Sequence, residues 1–320
     1  MKPAVVFAVA TTLVCSVACA QDFAGKPRRI VTIEAGGGND QVARLIALGL
    51  NSQSSPASPR VIVENRGGAN GIIAGETVVK AAPDGHTLLS MSSSLWLLPF
   101  MQAVPYDPVK DLLPVTLAVN SPNVLVVNPA LPVKSVRELI ALAKARPGQL
   151  NYSTAGTGSG GHLAAELFKS MAGVDIVRIA YKGGAPAMTD LISGQVQLSF
   201  TSTGTLGSHV KSGRLRALAV TSAKPTALAP GLPTIASAGL KGYELVSTYG
   251  VFAPAKTPES VVSRLNQDIV RALRTPEIQE RFFSAGSEVV VNTPQEFAAV
   301  IAADRLKLGK LIRDANIQTQ

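Results

Sequence analysis

Short apolar runs rich in Val, Ile and Leu alternate along this chain with longer runs whose apolar residues recur every third or fourth position. The first pattern suits buried strands and the second suits amphipathic helices. Strands are predicted over Arg29–Ile33, Arg60–Glu64, Thr87–Met91, Thr116–Val119, Val124–Asn128, Leu150–Ser153, Ile176–Ala180, Gln197–Phe200, Ala217–Thr221, Leu245–Phe252 and Glu288–Val291. Helices are predicted over Asp40–Leu50, Gly71–Ala81, Ser135–Ala145, His162–Ala172, Pro186–Ser193, Pro258–Arg274, Pro276–Ala285 and Pro294–Ala315. Local punctuation sets the ends. Ser135 opens one helix and Pro147-Gly148 stops it; Pro258 and Pro276 each start a helix, and Gly194 ends another. Apolar strands alternating with helices predict an α/β fold built on parallel sheets.

Two of the strand-to-helix turns are rich in glycine. The first is Glu34-Ala35-Gly36-Gly37-Gly38-Asn39-Asp40 and the second is Ser153-Thr154-Ala155-Gly156-Thr157-Gly158-Ser159-Gly160-Gly161-His162. Such a turn bares backbone N–H groups at the positive end of a helix, where an anion can sit. The two turns lie on either side of Pro114–Asn123. A strand over Val115–Val119 would leave the first domain and one over Leu245–Phe252 would return to it. The expected division is a leader over 1–20, a discontinuous domain 1 over 21–119 plus 246–320, and domain 2 over 120–245. Two crossings make a hinge, and a cleft between lobes is where ligands bind. Two jaws gripping one small acidic molecule is the picture that results.

Composition narrows the compartment and the partners. Lys2 followed by the uncharged apolar run Ala4–Val17 and then Ala18-Cys19-Ala20 reads as a cleaved secretory signal with Gln21 as the mature start. Lipidation at Cys19 is the alternative. Both cysteines, Cys15 and Cys19, lie in this segment, so cleavage leaves no disulfide, thiol nucleophile or cysteine metal site. The formal charge of +9 falls to +8 without Lys2, and the cations are scattered, with no interleaved aromatics. Nucleic-acid binding needs a basic face with a reading or stacking element, and neither is present. A solvated basic surface remains, able to gather anionic solutes.

The blocks Ala35–Asp40, Val63-Glu64-Asn65-Arg66, Ala81-Ala82-Pro83-Asp84-Gly85, Pro105–Asp111, Asn123–Asn128, Tyr181-Lys182-Gly183, Gly213–Thr221 and Ala253-Pro254 stand in an order and spacing that resembles one family across nearly the whole chain. It resembles the substrate-binding proteins of tripartite tricarboxylate transporters, the Bug receptors. The resemblance implies a two-lobed periplasmic binding protein of type II, a Venus flytrap with two strand crossovers as its hinge. It implies a monomer in the periplasm that captures a small organic carboxylate and hands it to membrane permease subunits. No chemistry on the ligand, no cofactor and no metal are implied. A sensor kinase of a two-component system is an alternative partner for the same closed form.

The ligand-binding residues expected from the turns and the resemblance are Glu34, Ala35, Gly36, Gly37, Gly38 and Asn39 from the first jaw. Ser153, Thr154, Ala155, Gly156 and Ser159 come from the second, with Ser92, Ser93, Trp96, Tyr181, Thr201 and Tyr249 around them. Other roles stay open for several: Asn39 and Asp40 as helix caps, Trp96 as core, Tyr181 as a lobe-surface aromatic. His162 is expected to brace its turn. The sequence departs from the family pattern at Ile33, Glu34, Ala180, Thr201–Thr203 and Thr248. A buried Glu34 would repel a second carboxylate. The expected ligand therefore has one carboxylate and either a donor group or an apolar or aromatic body.

Enzyme readings fare poorly. Gly156-Thr157-Gly158-Ser159-Gly160-Gly161 satisfies G-x-G-x-x-G, but Asp175, the nearest acid at the right distance, precedes its strand. Thr157 takes the place of the first glycine that a nucleophile elbow at Ser159 needs. His86, His162 and His209 show no zinc-site spacing.

Overall fold

The computed structural model describes residues 26–55, 59–154, 156–181 and 183–318. The expected leader with Cys19, and the expected contact Ala155, lie outside the described residues. The strands are β1 (Arg28–Thr32), β2 (Val61–Asn65), β3 (Thr87–Ser92), β4 (Leu112–Val127), β5 (Asn151–Thr154), β6 (Val177–Ala180), β7 (Leu198–Ser202), β8 (Arg216–Val220), β9 (Val246–Pro254) and β10 (Glu288–Val289). The helices are α1 (Gly38–Ser52), α2 (Ile72–Val79), α3 (Ser94–Leu97), α4 (Val136–Ala145), α5 (Gly160–Ala172), α6 (Gly184–Ser193), α7 (Thr203–Lys211), α8 (Glu259–Leu273), α9 (Pro276–Ser284) and α10 (Pro294–Asp314).

The strands follow the order β2-β1-β3-β9-β4-β7-β5-β6, with β8 and β10 also pairing onto β4. Pairing is parallel on both flanks, where helices connect the strands: β1 with β2 and β3, and β5 with β6 and β7. The centre is antiparallel, which adds to the expected parallel sheets the two crossing strands. There β9 pairs with β3 and with the first part of β4, and the end of β4 pairs with β7 and β8. The strand leading out of the first half and the strand returning to it must run in opposite directions, and they lie side by side.

The expected strands Thr116–Val119 and Val124–Asn128 are one continuous β4. Asn120-Ser121-Pro122-Asn123 looks like turn chemistry, but the chain runs straight through it, held by strand pairing and by two hydrogen bonds to distant residues. Asn120 and Pro122 stand opposite Thr248 and Val246 of β9. Ser121 Oγ donates to Gly286 O at 3.0 Å, and the Asn123 N–H donates to Thr221 Oγ1 at 2.9 Å. The polar step marks the hand-over of β4 from one half-sheet to the other.

Alternation along the strands divides the core between the two faces. In β1, Ile30 joins a cluster with Val42, Ile46, Leu265 and Phe282 from α1, α8 and α9, while Val31 joins Trp96, Phe252 and Phe297 on the opposite face. In β4, Leu125 and Val127 face Tyr152, Phe168 and Phe200, while Val124 and Val126 face Leu191 and Leu206. Helices on both faces of each half-sheet leave the C-terminal ends of β1 and β5 open toward the junction. The glycine turns begin there.

Candidate functional site

The first turn leads from β1 into α1 and carries its own acid. Asp40, buried in the first turn of the helix, accepts the Gly36 N–H at 2.9 Å, Arg44 Nε at 2.9 Å and Asn65 Nδ2 at 2.8 Å. Burial alone would raise its pKa. The Arg44 guanidinium, the Gly36 amide and Asn65 outweigh it and hold the carboxyl below its ordinary range. The Gly36 N–H is therefore committed to Asp40, which corrects its expected role as a donor to ligand. Gly37 takes the N-cap position without a capping side chain, so the first N–H groups of α1 have no carbonyl within the helix. Asn39 reaches across to β3, where its Oδ1 accepts the Ser92 N–H at 2.7 Å. Glu34 is exposed, and its Oε1 accepts the Gly68 N–H at 2.9 Å.

The second turn, from β5 into α5, is held by neutral groups. Ser159 is the N-cap and its Oγ accepts the His162 N–H at 3.3 Å. Thr154 Oγ1 donates back to Gly156 O at 3.1 Å and lies 3.1 Å from Ser159 Oγ. His162 is buried, and its Nδ1 accepts the Gly158 N–H at 3.0 Å, which fixes that nitrogen as unprotonated. Burial, with the nearby Arg178 charge, pushes the imidazole down to about 4. Arg178 stands behind the turn and donates from Nη2 to Thr157 Oγ1 at 2.6 Å, while its Nε is buried without a partner among the described residues.

The two turns border one cavity of about 240 Å³. Glu34 and Asn39 line it from the first, and Thr157, Gly158, Ser159 and Gly160 from the second. Ser92, Ser93 and Ser94 at the end of β3 supply hydroxyls, and Ile33, Leu98 and Met101 supply an apolar wall. Asn70, also on the wall, holds a left-handed backbone at φ 55°, a conformation asparagine tolerates better than most residues. Ser247 and Tyr249 form the side nearest the crossing strands. Burial raises the Tyr249 pKa, so its hydroxyl stays a neutral donor. A Cβ on Gly38 would stand 2.8 Å from that hydroxyl.

The halves meet closely around this cavity. A Cβ on Gly158 would lie 2.9 Å from the Met101 sulfur, and one on Gly160 would lie 1.9 Å from Ser247 Oγ. Glycine at these two positions permits the approach. Elsewhere along the junction Thr203 Oγ1 donates to Gly286 O at 3.3 Å and Thr226 Oγ1 to Glu288 Oε1.

Several expected contacts stand elsewhere. Trp96 is core: its ring packs against Phe252 and Phe297 at 6.0 and 5.8 Å, and its Nε1 donates to Asp304 Oδ2 at 3.3 Å. Tyr181 donates to Asp190 Oδ2 at 2.7 Å and packs on the cluster around Leu191, away from the cavity lining. Thr201 Oγ1 lies 3.1 Å from Thr205 Oγ1 on the outer side of β7. Ser153, Thr154 and Gly156 shape the second turn from beneath and do not line the cavity, nor do Ala35, Gly36, Gly37 and Gly38. Asn70, Leu98, Met101, Thr157, Gly158, Gly160 and Ser247 line the cavity without having been expected to. Ser247 was within reach, because it shares a strand face with Tyr249 two residues on. Met101 and Asn70 carry no local signal.

Comparison with known proteins agrees with this architecture. Residues 42–317 match the model of the tripartite tricarboxylate transporter family receptor. The chain is 36% identical over 310 residues to the protein BugT of Bordetella pertussis, spanning 96% of this chain and 94% of BugT. Among solved structures, R. palustris Rpa4515 with adipate superposes with a TM-score of 0.82 at 34% identity, covering 93% of this chain and all of that one. The periplasmic binding protein BugD gives 0.78 at 32% identity, covering 92% and 99%. MatC of Rhodopseudomonas palustris with bound malate gives 0.76 at 27%, covering 91% and 100%. Of these, BugD is a periplasmic binding protein, and the matched family is one of substrate-binding receptors rather than enzymes, with the two-lobed binding-protein fold. By sequence across most of its length and by fold, the chain belongs to the tripartite tricarboxylate transporter receptor family, the Bug proteins.

Proposed function

We propose that this protein captures a small organic carboxylate between two lobes and delivers it to the permease subunits of a tripartite tricarboxylate-type transporter. The lobes in this reading are 21–119 with 246–320 and 120–245, exported as a monomer to the periplasm after removal of 1–20. One observation carries the reading: residues of both glycine turns border the same cavity. The adipate and malate seen with two relatives support carboxylates as the ligand class.

Closure supplies the coupling. Ligand favours the closed form because only there do both turns touch it. Moving from mostly open to mostly closed needs a differential of roughly 5 kcal/mol. A few hydrogen bonds to a charged group, each about 1.5–3 kcal/mol, supply that. Ser159, Gly160, Asn39, Ser92, Ser93, Ser247 and Tyr249 are the proposed donors. Isothermal titration against a panel of small mono- and dicarboxylates tests the proposal. Binding of at least one member, with a matching rise in melting temperature, is expected; no heat and no thermal shift with any member would reject it.

A further inference from the structure

The cavity is electrically lopsided. On the first lobe its lining includes one charged side chain, Glu34. One Glu34 oxygen is held by the Gly68 N–H, and no ion pair among the described residues neutralises the carboxylate. Asp40, close by in sequence, is already balanced by Arg44. On the second lobe the lining residues Thr157–Gly160 carry no charge, but the Arg178 guanidinium is bonded to Thr157 from behind. Arg178 forms no ion pair among the described residues, whereas the neighbouring Lys169 is matched by Glu166 at 2.9 Å. An exposed carboxylate on the first lobe therefore faces neutral groups backed by a cation across a space of about 240 Å³, wide enough for a small molecule only.

A molecule with a carboxylate at each end would place one of them against Glu34. Like charges at that range disfavour the charged pair, and the lining contains no lysine or arginine to offset it. We infer that this receptor selects a small amino monocarboxylate, with its carboxylate on the Thr157–Gly160 turn and its protonated amine on Glu34. The inference rests on the carboxylate-receptor reading and narrows it. Glu34 is then a specificity residue, since it accepts from an ammonium and repels an anion. Arg178 is a positioning residue, acting on the carboxylate through Thr157 and through its field. The apolar wall of Ile33, Leu98 and Met101 suits the methylenes between the two ends.

The test is calorimetric titration of the purified protein at pH 7 with three matched pairs. These are succinate and 4-aminobutyrate, glutarate and 5-aminovalerate, and adipate and 6-aminohexanoate; in each, an aminomethyl group replaces one carboxylate. The amino member is expected to bind at least tenfold tighter at the best-fitting spacing. Glu34→Gln keeps the acceptor for the Gly68 N–H and removes the charge. It should shrink that preference to threefold or less, by weakening the amino member and strengthening the diacid. Arg178→Gln should weaken both members together and leave their ratio unchanged. A diacid preferred at every spacing, or a preference untouched by Glu34→Gln, overturns the inference and leaves the receptor reading standing. A loss confined to the amino member in Arg178→Gln overturns the orientation. If no member of any pair binds while another carboxylate of the wider panel does, this inference fails and the receptor reading stands; if nothing in the wider panel binds, both fail.

Discussion

Asp40 holds the first glycine turn with a charge, and His162 holds the second without one. Both turns join a strand to a helix and look alike in sequence. In the first, a buried carboxylate takes the Gly36 amide and is balanced by Arg44, and the helix start is uncapped by any side chain. In the second, an unprotonated imidazole takes the Gly158 amide, Ser159 caps the helix, and the cation Arg178 waits behind. The lesson is that a glycine-rich motif specifies where a backbone can come close, while the residues around it set the sign of the field it presents.

The sharpest way to break the comparison is to stop the turns from meeting. Gly160→Ala puts a Cβ 1.9 Å from Ser247 Oγ, yet alanine suits the first position of a helix. Ligand affinity should fall at least a hundredfold in calorimetry, with the melting temperature of the unliganded protein little changed. Adding Ser247→Gly removes the obstructing side chain and should restore part of the loss. Asp40→Ala comes next. Removing the acceptor of three hydrogen bonds should cost about 2–4 kcal/mol in urea unfolding, because Asn65 and the Gly36 amide lose their partner.

Acid separates the two turns by window. The His162 pKa in the folded protein is depressed from 6.5 to about 4. The unfolded chain therefore takes up its proton first, and stability present above pH 6.5 is lost as pH falls toward 4, by about 3 kcal/mol at most. Asp40 lies below its ordinary 3.8, so its contribution is present above that value and is lost only at still lower pH. Asp304, pushed up to about 6 chiefly by burial, works against His162 in the same window, favouring the fold as it gains a proton. The difference between wild type and His162→Asn isolates the imidazole. Asparagine offers Oδ1 to the Gly158 amide and cannot be protonated, so its urea midpoint should decline less between pH 6.5 and 4. The smallest effect belongs outside the cavity. Tyr181→Phe loses the bond to Asp190, should cost about 1 kcal/mol of stability, and should leave ligand affinity within twofold.

Legibility in the sequence followed the range of the interactions. Helices with strong caps were readable: Ser135 accepts the Glu138 N–H, and Thr293 with Glu296 forms a capping box before α10. The helix α7 was not, because Gly204 and Gly207 dilute its apolar pattern. Gly204 is dictated instead by a neighbour distant in sequence, since a Cβ there would come within 2.6 Å of Ala285 O. Asn120–Asn123 falls between two expected strands because its partners, Thr221 and Gly286, arrive from far along the chain. The glycine turns stood out as motifs, but their inner and outer residues could not be told apart. Ser153 and Thr154 turn inward and become buried, while Thr157–Gly160 reach the cavity. Trp96 sits beside the serines that line the cavity, yet its ring faces Phe252 and Phe297.

A crystal structure of the protein with its tightest-binding small carboxylate tests the account most directly. The account predicts density in the space between Glu34 and Asn39 on one side and Thr157–Gly160 on the other, with polar contacts to both turns. Density against one turn alone, or on any other surface while this cavity holds only solvent, would contradict it.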